Sequence, residues 1–391
     1  MSGSPFSPWP AFTEEEADAT RAVMLSNQVN YWTGPQGRSF EQEFAAFTGT
    51  ACAIAVANGT VALDLAWMAL GVGPGDEVIV TPRTFIASVS SIVNTGAVPV
   101  FADVDRDSQN ITPETVTPLI SPKTRAILTV HLNGWPCEMD GFRDIANATG
   151  VSLVEDCAQA HGARFRGSPV GALGDIAAWS FCQDKIMSTG GEGGMLTTNR
   201  RDLWSSAWSY KDHGKSPEAA FERQRPAGYR WLHDSFGSNA RLTEMQSAIG
   251  RIQLKRMPAW HGARTRNAAA ILEAAHNHPV WRVPDMPPHI DHAWYRCHLA
   301  VRPDSLKNGW DRDRIIARIN ALGVPCNVGS CPEVYRERAF DDTGYRPAQR
   351  LAVARELGET SVVFLVHPTL TVEEIDRTCL AISDVAREAI R

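Results

Sequence analysis

The chain has 391 residues, 43% of them hydrophobic, and its 38 basic and 44 acidic side chains give a formal charge of −6. That length and apolar content can bury a large core with room for two domains, and they exclude a disordered or fibrous chain. The near-balanced charge, with no long basic block, excludes a surface built for nucleic acid or an acidic membrane and leaves a small molecule as the expected partner. No apolar run approaches the roughly 18 residues of a membrane span, and MSGSPFSPWPAF at the start has neither a basic nor an apolar signal region. Eight scattered cysteines without a CxxC pair suit a reducing compartment, so a cytoplasmic protein is expected.

Taken in chain order, short β-branched or apolar runs alternate with helical segments from residue 52 to about 200. The expected strands are ACAIAVA (51–57), EVIV (77–80), VPVFADV (98–104), AILTVHL (126–132), VSLVED (151–156), DIAAWSFC (175–182) and GMLTT (194–198). Between them lie the expected helices TVALDLAWMALG (60–71), TFIASVSSIVNTG (84–96) and CEMDGFRDIANATG (137–150), each closed by a glycine as helix ends prefer. This alternation predicts an α/β domain with a mostly parallel sheet. Two further helical stretches, 242–255 and 261–275, lead away from it. The remainder mixes strands (WYRCHLAV, 294–301; SVVFLVH, 361–367) with helices (RDRIIARINALG, 312–323; TVEEIDRTCLAISDVAREAI, 371–390), the pattern of a smaller α+β domain. The Pro-rich loop VPDMPPHIDH (283–292) is the clearest punctuation near the boundary.

Ligands of open α/β sheets bind beyond the C-terminal ends of the strands. Asn58, Gly59 and Thr60 fall at one such end, where helix N–H groups and a hydroxyl either hold a phosphate or simply cap the helix. Asp156 ends another strand, where a carboxylate taken alone reads as a cap. Lys185 follows a third, and lysine is rarely buried without a partner. Four glycines at 190, 191, 193 and 194 follow it, as a tight turn or a close approach requires. One ligand would use all three places. Pyridoxal phosphate carries an aldehyde that forms a Schiff base with lysine, a ring nitrogen that draws electrons when protonated, and a phosphate. Lys185 would take the aldehyde, Asp156 the ring nitrogen, and Gly59, Thr60 and Ser180 the phosphate.

The ordered set NGTVAL (58–63), GPGDEVIV (73–80), TFIAS (84–88), VEDCAQAHGA (154–163), GDIAAWSF with Lys185 (174–185), GGEGGM (190–195) and NARLTEMQSAIG (239–250) resembles the pyridoxal-phosphate sugar aminotransferases of the DegT/DnrJ/EryC1/StrS group. The resemblance covers nearly the whole chain. It implies fold type I: a large, mostly parallel seven-stranded α/β domain with an N-terminal arm (1–255) and a smaller α+β C-terminal domain (256–391). By the same resemblance Phe85 stacks on the pyridine ring and Gln159 hydrogen-bonds the cofactor hydroxyl. Asn239 would cross a dimer interface to the neighbouring chain's phosphate, which makes the unit a homodimer with shared active sites. Lys185 would be both covalent anchor and proton shuttle. It would move an amino group from L-glutamate to a nucleotide-linked keto sugar, with a 4-keto-6-deoxyhexose as leading candidate. The product would be an amino sugar for a surface polysaccharide, such as the O-antigen of lipopolysaccharide, or for a glycoside.

Similar sugar dehydratases carry histidine in place of the Schiff-base lysine, so Lys185 favours transamination. Lys185, Asp156 and Gln159 together argue against a noncatalytic cofactor-binding regulator, and no cysteine sits in a loop suited to a desulfurase. The chain departs from the family at NVGSCPEVY (327–335), where many members have a Pro-Leu-His type segment, which leaves the sugar contacts open. Period-two alternation places Arg296 and His298 opposite Tyr295 and Cys297, and Arg296 is the candidate for substrate phosphate. His161 is expected to pack or to support a cofactor-binding residue, Cys331 to be a small packed side chain, and HIDH (289–292) to be a solvated turn and no metal site.

Overall fold

A computed structural model describes residues 6–221 and 231–391. The seven expected runs of the first half form one sheet: β1 (Cys52–Val56), β2 (Glu77–Val80), β3 (Val98–Phe101), β4 (Thr124–Val130), β5 (Ser152–Asp156), β6 (Ile176–Ser180) and β7 (Gly194–Thr198), in the spatial order β1-β7-β6-β5-β4-β2-β3. The pairs from β6 across to β3 are parallel, while β7 runs antiparallel to both β1 and β6. Helices cover both faces, which is why these strands read as continuous apolar runs and show no alternation. The helix Gly59–Leu70 is apolar almost all round because it is buried among neighbours, through Ala62, Leu65, Ala66 and Trp67 among others. It ends at Gly71, whose φ of 68° lies in the left-handed region that glycine adopts without strain. The ends of β1, β5 and β6 and the turn after β2 meet along one rim of the sheet. This topology brings Asn58, Asp156, Ser180 and Phe85 together from distant parts of the chain.

A single helix, Glu244–His276, replaces the two stretches expected at 242–255 and 261–275, so the expected boundary at 255/256 falls inside it. Its first turn is closed by a reciprocal cap between Thr243 and Gln246. Pro258 does not break it. Pro258 is exposed, and buried residues on either side of it, Leu254 and Met257 before and Arg264 and Ala268 after, hold the helix continuous. The N-terminal half packs on the large sheet's layer: a Cβ on Gly250 would stand 2.6 Å from the Phe40 ring. The C-terminal half sends Ala268, Ile271 and Ala275 into the core of a second sheet.

That sheet is antiparallel, with β8 (Trp281–Arg282), β9 (Cys297–Val301), β10 (Cys326–Asn327) and β11 (Ser361–Phe364) in the order β8-β9-β11-β10. The run expected as a strand from 294 begins only at Cys297, because Trp294 has φ 53° and turns the chain. Nor is HIDH a solvated turn. Ile290–Asp291 pairs with Arg164–Phe165, His289 contacts Glu138 at 3.0 Å, and His292 is buried, accepting the Trp294 N–H at 2.8 Å.

Candidate active site

A cavity of about 570 Å³ opens along the rim, and all but two of the expected site residues line it: Gly59, Thr60, Phe85, Asp156, Gln159, Ser180 and Lys185. One end is the start of the helix Gly59–Leu70. Asn58 caps it by accepting the Val61 N–H at 2.9 Å, and the first N–H groups of a helix have no acceptor within it, which makes this end a place for an anion. Gly59 is required there. A Cβ on it would fall 2.7 Å from Cβ of Ser180. Among the four glycines after Lys185, Gly190 and Gly191 have φ of 87° and 126°, and Gly194 passes so near the Asn58 backbone that a Cβ would lie 2.4 Å from its carbonyl.

Across the cavity, Asp156 is nearly buried, and both of its oxygens are held. Oδ2 accepts from Ser88 Oγ at 2.8 Å and Oδ1 from the Ala158 N–H at 3.1 Å. Phe85 is 69% exposed at the mouth, an aromatic face with little packed on it. Gln159 Oε1 accepts the Asn133 N–H at 2.7 Å, which fixes the amide.

Lys185 keeps only 15% of its side chain exposed, with Nζ 3.7 Å from Asp184 and 5.2 Å from the centre of the Tyr295 ring. Burial pulls its amine down, while the Asp184 and Asp156 carboxylates beside it push it up, and the net direction is up. The Tyr295 hydroxyl donates to Asp184 in turn. The Lys185 carbonyl accepts the Trp9 indole N–H at 2.8 Å, a contact from the far N-terminus. His161 packs against Trp179 and Phe181, and burial, with Lys185 and Arg264 nearby, pushes it down to about 3.

A second cavity of about 460 Å³ continues past Lys185 and shares Phe85, Gln159 and Asp184 with the first. Arg296 and His298 line it, together with 327–331 of the divergent segment NVGSCPEVY. Tyr295 lines it too, so the expected opposition of Tyr295 to Arg296 fails: alternation starts only where β9 starts. The segment is anchored beyond Cys331, where Val334 N–H donates to the Pro82 carbonyl at 2.8 Å and Glu333 accepts from Arg350 and Tyr335. Cys331 is half-buried against the core, and burial pushes its thiol up. Asn239 stands apart. It is exposed and lines a separate cavity with Asp64 and Tyr210.

Sequence reasoning missed Ser88, Asn133, Asp184 and Trp9. Ser88 sits in the quoted run TFIAS, and Asn133-Gly134 is a turn pair directly after a strand, so these two carried a signal. Among the described residues, one group has metal-ligand chemistry: His131, Glu155 and Cys157. The Glu155 carboxylate is already taken up by His131 at 3.0 Å and by the N–H groups of Gly171, Leu173 and Gly174, so it pins a loop.

Pyridoxal phosphate fits what is present: a helix start cleared by Gly59 for an anion, a held carboxylate, an exposed aromatic face and one buried lysine around a single cavity. The DegT/DnrJ/EryC1/StrS aminotransferase family model matches residues 10–383. A Streptomyces venezuelae dTDP-3-amino-3,4,6-trideoxy-alpha-D-glucose transaminase is 38% identical over 79% of this chain and 76% of its own length. A Caulobacter vibrioides GDP-perosamine synthase is 34% identical over 93% and 95%. A solved aminotransferase from Psychrobacter cryohalolentis superposes with a TM-score of 0.96, at 56% identity over 98% of this chain and 99% of its own. The chain thus belongs to the DegT/DnrJ/EryC1/StrS family and is a pyridoxal-phosphate-dependent aminotransferase.

Proposed function

We propose that the protein moves an amino group from L-glutamate to a nucleotide-linked keto sugar, a 4-keto-6-deoxyhexose, as a homodimer. The observation that carries the reading is Lys185, placed where the cofactor cavity and the second, substrate-sized cavity meet. Relatives named for dTDP- and GDP-linked sugars support the substrate class. One of those names places the amino group at C3 of a 6-deoxy sugar, so both 3-keto and 4-keto sugars belong in the test.

Bound pyridoxal phosphate supplies an aldehyde that exchanges amines and a ring that takes up the electron pair left by a broken C–H bond. The chain's own residues supply the rest. Gly59, Thr60 and Ser180 bind the phosphate at the helix start, and Phe85 covers one face of the ring. Asp156, oriented by Ser88 and Ala158, holds a proton at the ring nitrogen, and Gln159 donates to the ring hydroxyl. The Lys185 amine removes the proton from the donor's α-carbon and delivers one to the sugar carbon. Arg296 binds phosphate of the nucleotide. An amino sugar of a surface polysaccharide or glycoside is the product.

The test is the absorbance of the purified protein with pyridoxal phosphate, before and after L-glutamate, in the unaltered chain and in Lys185→Ala. A visible band that moves to the near-ultraviolet with glutamate in the first, and no such conversion in the second, is expected. Turnover by Lys185→Ala at the unaltered rate would remove Lys185 from the reaction.

A further inference from the structure

The second cavity has a buried histidine on its wall, one ring nitrogen of which has no hydrogen-bond partner among the described residues. His298, in β9, is 7% exposed and lines this cavity, and its Nε2 is buried without a hydrogen-bond partner. Its Nδ1 lies 3.4 Å from Nε2 of Gln109, and Gln109 turns Oε1 to Arg83 Nη2 at 2.7 Å. A guanidinium can only donate. The Gln109 oxygen therefore has to face Arg83, and its NH2 has to face His298. Nδ1 of His298 is then the acceptor, and the proton of the neutral ring sits on Nε2.

The surroundings keep the ring neutral and in place. Burial, with Arg83 and Arg296 nearby, pushes His298 down to about 3. Gly329, at φ 91°, lays the backbone of the 327–331 loop against the ring: a Cβ there would stand 2.7 Å from Cε1 of His298. Leaving a buried N–H without an acceptor costs on the order of 1–3 kcal/mol, a cost that an incoming oxygen removes. A neutral donor suits a hydroxyl or carbonyl oxygen, while Arg296 in the same cavity supplies the cation for phosphate.

We propose that His298 is a specificity-determining residue, donating from Nε2 to a hydroxyl or carbonyl oxygen of the sugar, and that Arg83 and Gln109 are positioning residues that fix its tautomer. This rests on the nucleotide-sugar reading of the site. The first test is the tautomer itself, read by nitrogen NMR of 15N-histidine-labelled holoenzyme, with His298→Gln identifying the signal among the 11 histidines. A neutral ring protonated on Nε2 is expected, and a ring protonated on Nδ1 overturns the proposal. The second test is steady-state kinetics with dTDP-, GDP- and UDP-linked 4-keto-6-deoxyhexoses and a 3-keto isomer. In His298→Phe the KM for the keto sugar should rise about tenfold relative to that for glutamate. His298→Gln, whose amide can reach the position of Nε2, should recover most of that loss. An unmoved KM ratio in His298→Phe overturns the assignment of His298 alone. If the unaltered enzyme reacts with glutamate but turns over none of the sugars, the substrate reading falls and takes the proposed ligand with it.

Discussion

At the scale of single residues, the orientation of Asp156 depends on one hydroxyl. Ser88 Oγ has one proton, and the 2.8 Å contact to Asp156 Oδ2 uses it, because an ionised carboxylate only accepts. The 2.7 Å contact between Ser88 and Thr84 must then carry the Thr84 proton toward Ser88. Thr84 and Ser88 thus form a short relay ending on the carboxylate, with Thr84 and Ser88 both buried. Ser88→Ala leaves Oδ2 without a protein donor, and Asp156 keeps only its bond from the Ala158 N–H. A lost hydrogen bond to a charged group is worth about 1.5–3 kcal/mol, so pyridoxal phosphate affinity, measured by equilibrium dialysis, should fall at least tenfold. Thr84→Val should produce a smaller loss, since Ser88 can still donate. Equal affinity in Ser88→Ala and the unaltered chain would show that the backbone bond alone holds Asp156.

At the scale of elements, the N-terminal segment is tied to the lysine turn. Trp9 stacks on His367 at 5.8 Å, meets Trp260 edge-on at 5.1 Å, lies under the Arg264 guanidinium at 5.1 Å, and gives its indole N–H to the Lys185 carbonyl. The neighbouring Pro8 carbonyl accepts from Thr369, and Ser7 N–H is held by Glu374. One ring therefore joins the C-terminal region to the backbone of Lys185. Trp9→Phe keeps a ring in the stack and deletes the donor, which costs about 1 kcal/mol at the turn. Backbone hydrogen exchange over 182–189 in the holoenzyme should quicken severalfold, and exchange in β4 should not; equal exchange over 182–189 would show that Trp9 only packs. Nothing in the sequence announces this contact, because 176 positions separate its partners. The large sheet was legible for the opposite reason: its strands are unbroken apolar runs, and its helices stop at glycines such as Gly71 and Gly150. Legibility fades where a single backbone angle or a tertiary contact decides the outcome. Trp294 at φ 53° shortens β9 and moves Tyr295 into the cavity, Pro258 sits inside a helix that its packing sustains, and the Arg83–Gln109–His298 relay joins three segments with no common motif.

At the scale of the whole molecule, Asn239 gives meaning to an exposed surface. Its backbone neighbours are fixed: Ser238 N–H donates to Tyr210 at 2.7 Å, Ala240 N–H to Lys211 at 3.0 Å, and Arg241 pairs with the buried Asp212 at 2.7 Å. The Asn239 side chain itself is exposed. An exposed asparagine between backbone positions fixed in this way is suited to reach into a second copy. The proposed homodimer then builds each cofactor site from Lys185 of one chain and Asn239 of the other, and this can be tested by complementation. Dimers of Lys185→Ala alone lack the lysine in both sites, and dimers of Asn239→Ala alone lack the phosphate contact in both. A hybrid dimer places both lesions in one site and leaves the other site intact. Equal mixing with free exchange makes half the dimers hybrids with one working site in two, so activity should recover to about a quarter of the unaltered enzyme. Recovery no greater than the mean of the two parents would confine each site to one chain, and full activity of Asn239→Ala alone would remove Asn239 from the site.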